Sequence, residues 1–329
     1  MPTASAVAPL ARPGRTVRPA AAATLRPAAA STLAPAWLHG TPGPAQVVAV
    51  FDVAVYLRRG QDVLPLLAPE ALALPGGLRV ADGADLDVLG LTVGDEVSVG
   101  HGQVVARAGG LVVRRTWRPQ RVPSADLSPD ARATALAAIA GRTRIEDDLG
   151  PVLADLATGL VADLGRTPDG QLVGHGTPRP SPVRSLVGLG PGLTPAGDDV
   201  LCGVLLGLRA TGDEQARSAL EREVTPLLGR TTALSATLLG RTTALSATLL
   251  RHAAAGYAVP PLVALLRAWH AGADEHRLAA LAVEVAAVGH TSGAALLLGL
   301  ATVLAPPHTP LPIPDPAAAP AVGPPRGTS

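Results

Sequence analysis

Two hydrophobic patterns divide the chain. Between residues 46 and 118 the apolar residues occur in short, valine-rich runs separated by glycine turns. Such runs are typical of short β-strands, and several in succession favour a small barrel or a sandwich. Strands are predicted over residues 47–57, 95–99, 103–107 and 111–113, with a hairpin turn at Gly100-His101-Gly102.

From Ser128-Pro129 onwards the runs become longer and rich in alanine and leucine, which is typical of helices. We therefore predict an α+β protein, with a β-rich N-terminal domain over residues 45–120 and a larger, mainly α-helical C-terminal domain over residues 128–305. The predicted helices lie near residues 129–141, 145–164, 195–211, 213–228, 230–255, 260–271, 274–288 and 292–304.

The two ends of the chain lack a core pattern. Residues 1–44 contain no acidic residue and carry arginines among alanine and proline, a composition loosely like that of a transit peptide. Their proline density argues against an amphipathic helix, so a disordered extension is predicted. Residues 306–329 are proline-rich and are predicted to form a disordered tail.

One apolar stretch is long enough to span a bilayer. Residues 286–305 contain no Asp, Glu, Lys or Arg. The polar and glycine residues from Gly289 to Gly293 interrupt it in the middle, and its second half alone has the length of a buried helix. No membrane span is therefore predicted.

The amino-acid composition argues against a nucleic-acid partner. Aromatic residues make up only 2% of the 329 residues and the net charge is +1, so the chain lacks both the stacking groups and the basic excess expected of a nucleic-acid-binding protein. The single cysteine, Cys202, excludes an internal disulfide and is predicted to be a buried structural thiol. This is compatible with the cytoplasm, which is the predicted location.

The most informative segment is the glycine-rich loop Gly188–Asp199. Glycines alternate at its start, Thr194-Pro195 has the form of a helix N-cap followed by proline, and Asp198-Asp199 precede an apolar run. A glycine loop that leads into a helix N-terminus is a natural anion site, although the two acids would repel an anion unless they face away or a cation intervenes. The alternative is a purely structural turn. Neither the Walker A pattern nor the Rossmann pattern is present.

An 11-residue segment is duplicated in tandem. Residues 227–237 recur identically as residues 238–248. Eleven residues make about three helical turns, so an extra copy would barely rotate a helix face but would displace the rest of the chain by about 16 Å. The alternative is that one copy loops out. The sequence does not decide which copy holds any functional position.

The amino-acid sequence of the glycine loop resembles the signature of the AllH family. Three further passages resemble this family in the same order: residues 47–57 as its opening strand, residues 230–235 (Arg-Thr-Thr-Ala-Leu-Ser) as a helix start, and residues 290–293 (His-Thr-Ser-Gly) before a final apolar helix. The resemblance covers roughly residues 45–304. Tyr56 and Ala196 stand where Asn and Ser are common in the family, so an amide or a hydroxyl is not required there.

The resemblance implies a subunit of an oxamate carbamoyltransferase complex of allantoin and purine breakdown, which works with partner chains. Carbamoyl phosphate and oxamate would give oxalurate and phosphate, and because both substrates are anions the site needs arginines, backbone N–H groups and helix N-termini. No cofactor is predicted. The residues predicted to bind substrate are Gly190, Gly192, Leu193, Thr194, Gly197, Arg230, Thr231, Arg241, Thr242, Thr291 and Ser292.

Asp198 and Asp199 are the predicted catalytic residues. Three roles stay open for them: they orient arginines, bind a cation, or accept a proton from the attacking amide nitrogen. The histidines show no metal-ligand spacing, so no metal site is predicted, and His175 is only a weak candidate for a general base. Two alternatives remain: a non-catalytic subunit that binds an anion or scaffolds its partners, and a stand-alone enzyme acting on a related amide or carboxylate.

Overall fold

The computed structural model describes residues 25–81, 86–145, 149–164, 181–228 and 242–305. The chain divides into two compact units, Met1–Pro119 and Gln120–Ser329. The first contains strands and the second contains helices, which confirms the predicted α+β class. Residues 1–24 and 306–329 lie outside the described part, so the predictions for those residues stay predictions.

The N-terminal unit is a closed β-barrel. Its first strand, β1, pairs with β8 in parallel and with β5 antiparallel, and these two ladders close the sheet. The order around the barrel is β1-β5-β4-β3-β2-β6-β7-β8. The strands are β1 Leu25–Ser31, β2 Gly43–Phe51, β3 Ala54–Arg59, β4 Asp62–Leu67, β5 Leu78–Val80, β6 Glu96–Gly100, β7 Gln103–Val105 and β8 Gly110–Trp117.

Buried and exposed side chains alternate along the strands, and the buried ones form an aliphatic core inside the barrel. In β2 the side chains of Ala45, Val47 and Ala49 are buried while those of Pro44 and Gln46 are not, as expected for a strand with one face turned inward. Leucine and valine supply most of the remaining core. The prediction of a small barrel or sandwich is therefore resolved in favour of a barrel.

Two predictions about the barrel strands are wrong. Residues 25–44 are not a disordered extension, because β1 and a 3-10 helix at Ala36–Leu38 lie there. The strand was not recognised in the sequence because it consists mostly of alanine and proline. Its Ala28 and Ala30 side chains are buried. Residues 47–57 are not one strand but parts of the hairpin β2–β3, in which Val50 pairs with Val55. An almost unbroken run of apolar residues concealed the tight turn.

The C-terminal unit is helical throughout its described part. Four of its helices begin at a side chain that caps the backbone, namely those of Ser128, Asp213, Thr243 and Asp274. The helices are α1 Pro129–Ala140, α2 Leu149–Leu164, α3 Pro182–Leu186, α4 Ala196–Ala210, α5 Glu214–Val224, α6 Ala244–Ala254, α7 Pro260–His270, α8 Glu275–Ala286 and α9 Ser292–Leu304. A short 3-10 helix also occurs in this unit at Thr225–Leu227, and another occurs in the N-terminal unit at Leu86–Leu89.

None of the helices in the described ranges is long and apolar enough to cross a membrane. The apolar stretch from residue 286 to residue 305 is divided between the end of α8 and the whole of α9. The glycine-containing interruption recognised in the sequence is the turn between these two helices.

Helices α4 and α9 form the centre of the helical unit. In α4 every residue except Arg209 is buried, including Cys202, and α9 is almost as completely enclosed. Helices that are apolar around their whole circumference need neighbours on all sides, and the other helices supply them. The indole of Trp269 on α7, for example, donates to the Ala131 carbonyl of α1 at 2.8 Å.

Glycines let α4 and α9 approach until their backbones touch. A Cβ atom on Gly203 would overlap the Leu296 carbonyl oxygen, and one on Gly299 would overlap the Val200 carbonyl oxygen. Gly207 lies against Leu300 and Val303 one turn further along. Contacts on α4 and α9 thus advance in the same direction, so the two helices are parallel and their N-termini lie together.

We expect Gly203→Ala to destabilise the protein by on the order of 3 kcal/mol, because the clash is with backbone and relief requires the helices to separate. Urea unfolding measures the change. Gly159→Ala on α2 is the matched control, because its Cβ would meet only Pro182 Cγ at 4.0 Å. That variant should be neutral or slightly stabilising. Equal losses in the two variants would contradict the proposed close packing.

Candidate anion site at two helix N-termini

The glycine loop reverses the chain ahead of α4. Gly188, Gly190 and Gly192 have φ angles of 73°, 108° and 92°, which are unfavourable for other residues. The Gly197 amide donates back to the Leu189 carbonyl at 2.9 Å. This inward hydrogen bond, together with contact between the Gly197 position and the Leu186 carbonyl, gives Gly197 a packing role and leaves its N–H unavailable for the predicted substrate contact.

The helix start differs by one residue from the prediction. Pro195, not Thr194, occupies the N-cap position, and its carbonyl accepts from the amides of Asp198 and Asp199. Thr194 turns to α9, where its hydroxyl oxygen lies 3.1 Å from that of Ser292. Thr194 therefore connects the first turns of the two central helices instead of capping one of them.

Asp198 is the centre of a buried hydrogen-bond network. One carboxylate oxygen accepts from the Gly188 amide at 2.9 Å, and the other accepts from the hydroxyls of Thr242 and Ser246. The side chain is fully buried, and burial raises its pKa while these three hydrogen bonds oppose the rise. Three donors favour the ionised form of Asp198 within the acid pair.

Asp199 has a different environment although it adjoins Asp198. The pKa of the Asp199 carboxyl is raised to about 8: burial is the main cause, a hydrogen bond from Ser292 opposes the rise, and the Asp198 charge adds to it. Its Oδ2 atom has no hydrogen-bond partner among the described residues. Asp198 has three donors and Asp199 has one, so the proton held by this pair near neutral pH is assigned to Asp199.

A cavity of about 740 Å³ opens beside the two helix N-termini. Its walls contain Gly192, Leu193 and Thr194 from the glycine loop and Thr291 and Ser292 from the start of α9. These five of the predicted substrate-binding residues are brought together. Gly190, Gly197 and Thr242 lie outside the described lining, as do both aspartates.

Three basic side chains on the cavity wall were missed by the sequence reasoning. Arg142 and Arg144 follow the C-terminus of α1, and His290 precedes α9. One Arg142 N–H donates to the Ala138 carbonyl at 3.1 Å, which holds the side chain near the end of its own helix. The sequence did not single them out, because the tripeptide Gly-Arg-Thr at residue 141 also occurs at residues 14, 165, 229 and 240.

Several predicted residues cannot be assigned a position. Arg230, Thr231 and Arg241 lie outside the described residues, as does His175. The predictions for them remain untested. Thr242 is the first described residue after that gap, and it bonds Asp198.

Two of the described histidines, His252 and His270, have pKa values below the ordinary value. Burial lowers the pKa of His252 to about 4, and the neighbouring Arg251 charge lowers it further. Burial also lowers the pKa of His270, against a hydrogen bond with the Ala210 backbone. Within the described ranges no three His, Cys, Asp or Glu side chains lie close enough together to hold a metal ion.

A buried acid pair, two helix N-termini and a cavity lined by two arginines lie together in the helical unit. Residues 186–304 match the family model described as oxamate carbamoyltransferase subunit AllH. This match confirms the resemblance to the AllH family that the glycine loop and residues 290–293 carry. The match does not reach the barrel strands that also resemble this family. No solved structure matches the chain.

We expect Asp199→Asn to stabilise the protein, increasingly as the pH rises. The folded pKa of Asp199, about 8, exceeds the ordinary value of 3.8, so folding favours the neutral acid. Its stabilising contribution is complete below pH 3.8 and is lost as the pH rises through 8, by up to about 1.4 kcal/mol per pH unit. An Asn side chain does not undergo this loss.

The measurement is the difference in Tm and in unfolding free energy between Asp199→Asn and wild type from pH 5 to pH 8. Asp126→Asn is the control, because the Asp126 side chain is 94% exposed. A difference that stays constant with pH, or shrinks as pH rises, would show that Asp199 has an ordinary pKa.

Proposed function

We propose that this chain is a subunit of an oxamate carbamoyltransferase-like complex and that its cavity holds a small anionic substrate. The observation that carries the proposal is the convergence of the glycine loop, the start of α9 and two arginines on one cavity. The family description supplies the reaction class. In the proposed reaction carbamoyl phosphate and oxamate give oxalurate and phosphate, a step of purine and allantoin breakdown.

The charges around the cavity support anion binding. Arg142 and Arg144 provide guanidinium donors suited to carboxylate and phosphate oxygens. The amides of Gly192 and Leu193 donate to no partner in the described part of the chain. The positive ends of the α4 and α9 dipoles add to this field. Among the described lining residues there is no Asp or Glu.

The position of the acids removes the electrostatic objection raised by the sequence. Asp198 and Asp199 are buried and do not line the cavity, and Asp199 hydrogen-bonds Ser292, which does. Asp199 holds a proton at neutral pH, so the pair contributes one negative charge there instead of two. That charge is compensated by the donors on Asp198 and by the adjoining helix N-terminus.

We assign Asp199 the role of proton acceptor and Asp198 a positioning role. During carbamoyl transfer the oxamate amide nitrogen bonds to the carbamoyl carbon, the carbon–oxygen bond to phosphate breaks, and the nitrogen loses a proton. Ser292 lies at the cavity wall and also hydrogen-bonds Asp199. It would therefore accept that proton while passing its own to the Asp199 carboxylate. A pKa near the working pH suits this exchange.

Partner chains are expected to complete the site. The family description is that of a subunit, and the reaction brings together two anionic substrates whose positions require donors from several directions. The cytoplasm is the proposed compartment, which is compatible with the single, buried cysteine.

One observation favours a second candidate, a subunit that binds the anion without catalysing its reaction. Neither carboxyl group lies on the described cavity wall, so proton transfer depends entirely on Ser292. In that case the loop and arginines would hold a substrate for residues of a partner chain. Loss of turnover in Asp199→Asn with binding retained would favour catalysis by this chain.

We expect the double variant Arg142→Ala/Arg144→Ala to lose affinity for carbamoyl phosphate, phosphate or oxamate. Each charge-assisted contact contributes about 1.5–3 kcal/mol, so removing either side chain should weaken binding at least about tenfold. Isothermal titration calorimetry measures the Kd. Arg277→Ala is the control because Arg277 is exposed on α8. Unchanged affinity in the double variant would place the anion elsewhere.

We expect turnover by the reconstituted complex to increase with pH up to about 8, because the proton acceptor must be ionised and burial raises the pKa of Asp199 to about 8. The profile of kcat against pH measures this. Asp199→Asn should abolish the rising limb and most of the activity, with substrate affinity little changed. An identical limb in the Asn variant would assign the titration to another group.

A further inference from the structure

The tandem duplication leaves open which copy serves the site, since residues 227–237 and 238–248 are identical. Residues 229–237 of the first copy lie outside the described residues, and the contacts described here are those of the second copy. Its Thr242 and Ser246 hydroxyls donate to one oxygen of Asp198. Its Thr243 hydroxyl donates to the Leu193 carbonyl at 2.5 Å. The equivalent residues of the first copy are Thr231, Ser235 and Thr232.

These contacts hold the glycine loop at its start and at its middle. Asp198 accepts from the Gly188 amide at the start of the loop, so Thr242 and Ser246 act on that end through the carboxylate. Thr243 acts directly on Leu193, which lies on the cavity wall. Thr243 also caps α6, since its hydroxyl accepts from the Ser246 amide at 3.0 Å. The start of α6 and the shape of the loop are thus coupled.

We propose that the second copy alone positions the glycine loop, and that Thr242, Thr243 and Ser246 are the positioning residues. The consequence for substrate affinity rests on the proposed function, but the clamp on the loop does not. The hydroxyl of Thr243 links helix α6 to the glycine loop, because its oxygen accepts from the α6 backbone and its O–H donates to the loop.

The residues after the repeat explain why the copies are not interchangeable. Beyond Leu250 the second copy continues with Arg251, His252 and Ala253, of which Ala253 is 2% exposed and the His252 Nδ1 atom is buried. If the first copy docked in this register, Gly240, Arg241 and Thr242 would occupy those three positions.

Docking of the first copy would therefore be unfavourable at each of the three positions. A glycine would enter the helix interior, where it destabilises the helix relative to other residues. A guanidinium would replace the neutral, partly buried imidazole of His252, and a hydroxyl would replace the buried Ala253 methyl group. Burial of a charge or of an unpartnered polar group is costly. The second copy places no glycine, no charged group at the His252 position and no hydroxyl at the Ala253 position; its cost there is the His252 Nδ1 atom, which is buried without a described partner.

The two copies provide a matched experiment within one chain. Thr243→Val and Thr232→Val make the same chemical change in identical local sequences, and Ser246→Ala and Ser235→Ala form a second pair. Hydrogen–deuterium exchange of peptides covering residues 186–195 is followed in the full chain without ligand, well below the Tm. Exchange in α7 reports on overall stability.

We expect Thr243→Val and Ser246→Ala to accelerate exchange of the loop at least fivefold, with α7 unchanged. Thr232→Val and Ser235→Ala should behave as wild type, and Thr243→Ser should restore protection. Acceleration by the first-copy variants, equal effects from both copies, or no effect from either would overturn the proposal. So would a Thr243→Val effect that spreads equally to α7, since that is general destabilisation.

Calorimetry with phosphate and with oxamate on the same variants separates this inference from the proposed function. If wild type binds either anion, Thr243→Val should raise the Kd at least fivefold and Thr232→Val should leave it unchanged. Altered loop exchange in a chain that binds neither anion would support the clamp and contradict anion binding by the isolated chain. Altered affinity with unaltered loop exchange would contradict the clamp.

Discussion

The close parallel packing of α4 and α9 is the constraint on which the helical unit depends. Parallel helices align their dipoles, which is electrostatically unfavourable, and their positive ends accumulate at one place. Gly203 and Gly299 lack side chains, so the backbones of α4 and α9 come into contact and the two helices pack closely. An ionised Asp198 in the first turn of α4 provides the opposite charge. Packing thus generates the local field that a small anion would use.

The acid pair shows how adjacent, chemically identical groups acquire different properties. Asp198 is surrounded by donors, while Asp199 has a buried oxygen without a partner in the described part of the chain. Their difference arises from the elements that pack against each side: the start of α6 and the glycine loop at Asp198, the start of α9 at Asp199. Keeping Asp199 at this buried position costs the fold stability. Such a cost is common at functional sites of proteins.

Local signals in the sequence were sufficient for some features and not for others. The glycine loop was recognisable because alternating glycines and the adjacent acids are contiguous, and its residues Gly192 to Thr194 do reach the cavity. Arg142 was not recognisable, because its place beside the loop depends on how α1 packs against distant helices. The strand Leu25–Ser31 was missed because pairing with β8, far along the chain, outweighs the weak strand preference of alanine and proline.

The position of β1 has a consequence for how this protein can be shortened. β1 is both the first described strand and the one that closes the barrel, between β5 and β8. A chain trimmed to begin at residue 45, where the valine-rich pattern starts, would open the sheet and leave β5 and β8 with unpaired edges. Exposed edges recruit strands from other molecules. The apparently featureless alanine and proline residues of β1, Leu25–Ser31, therefore protect the barrel against self-association.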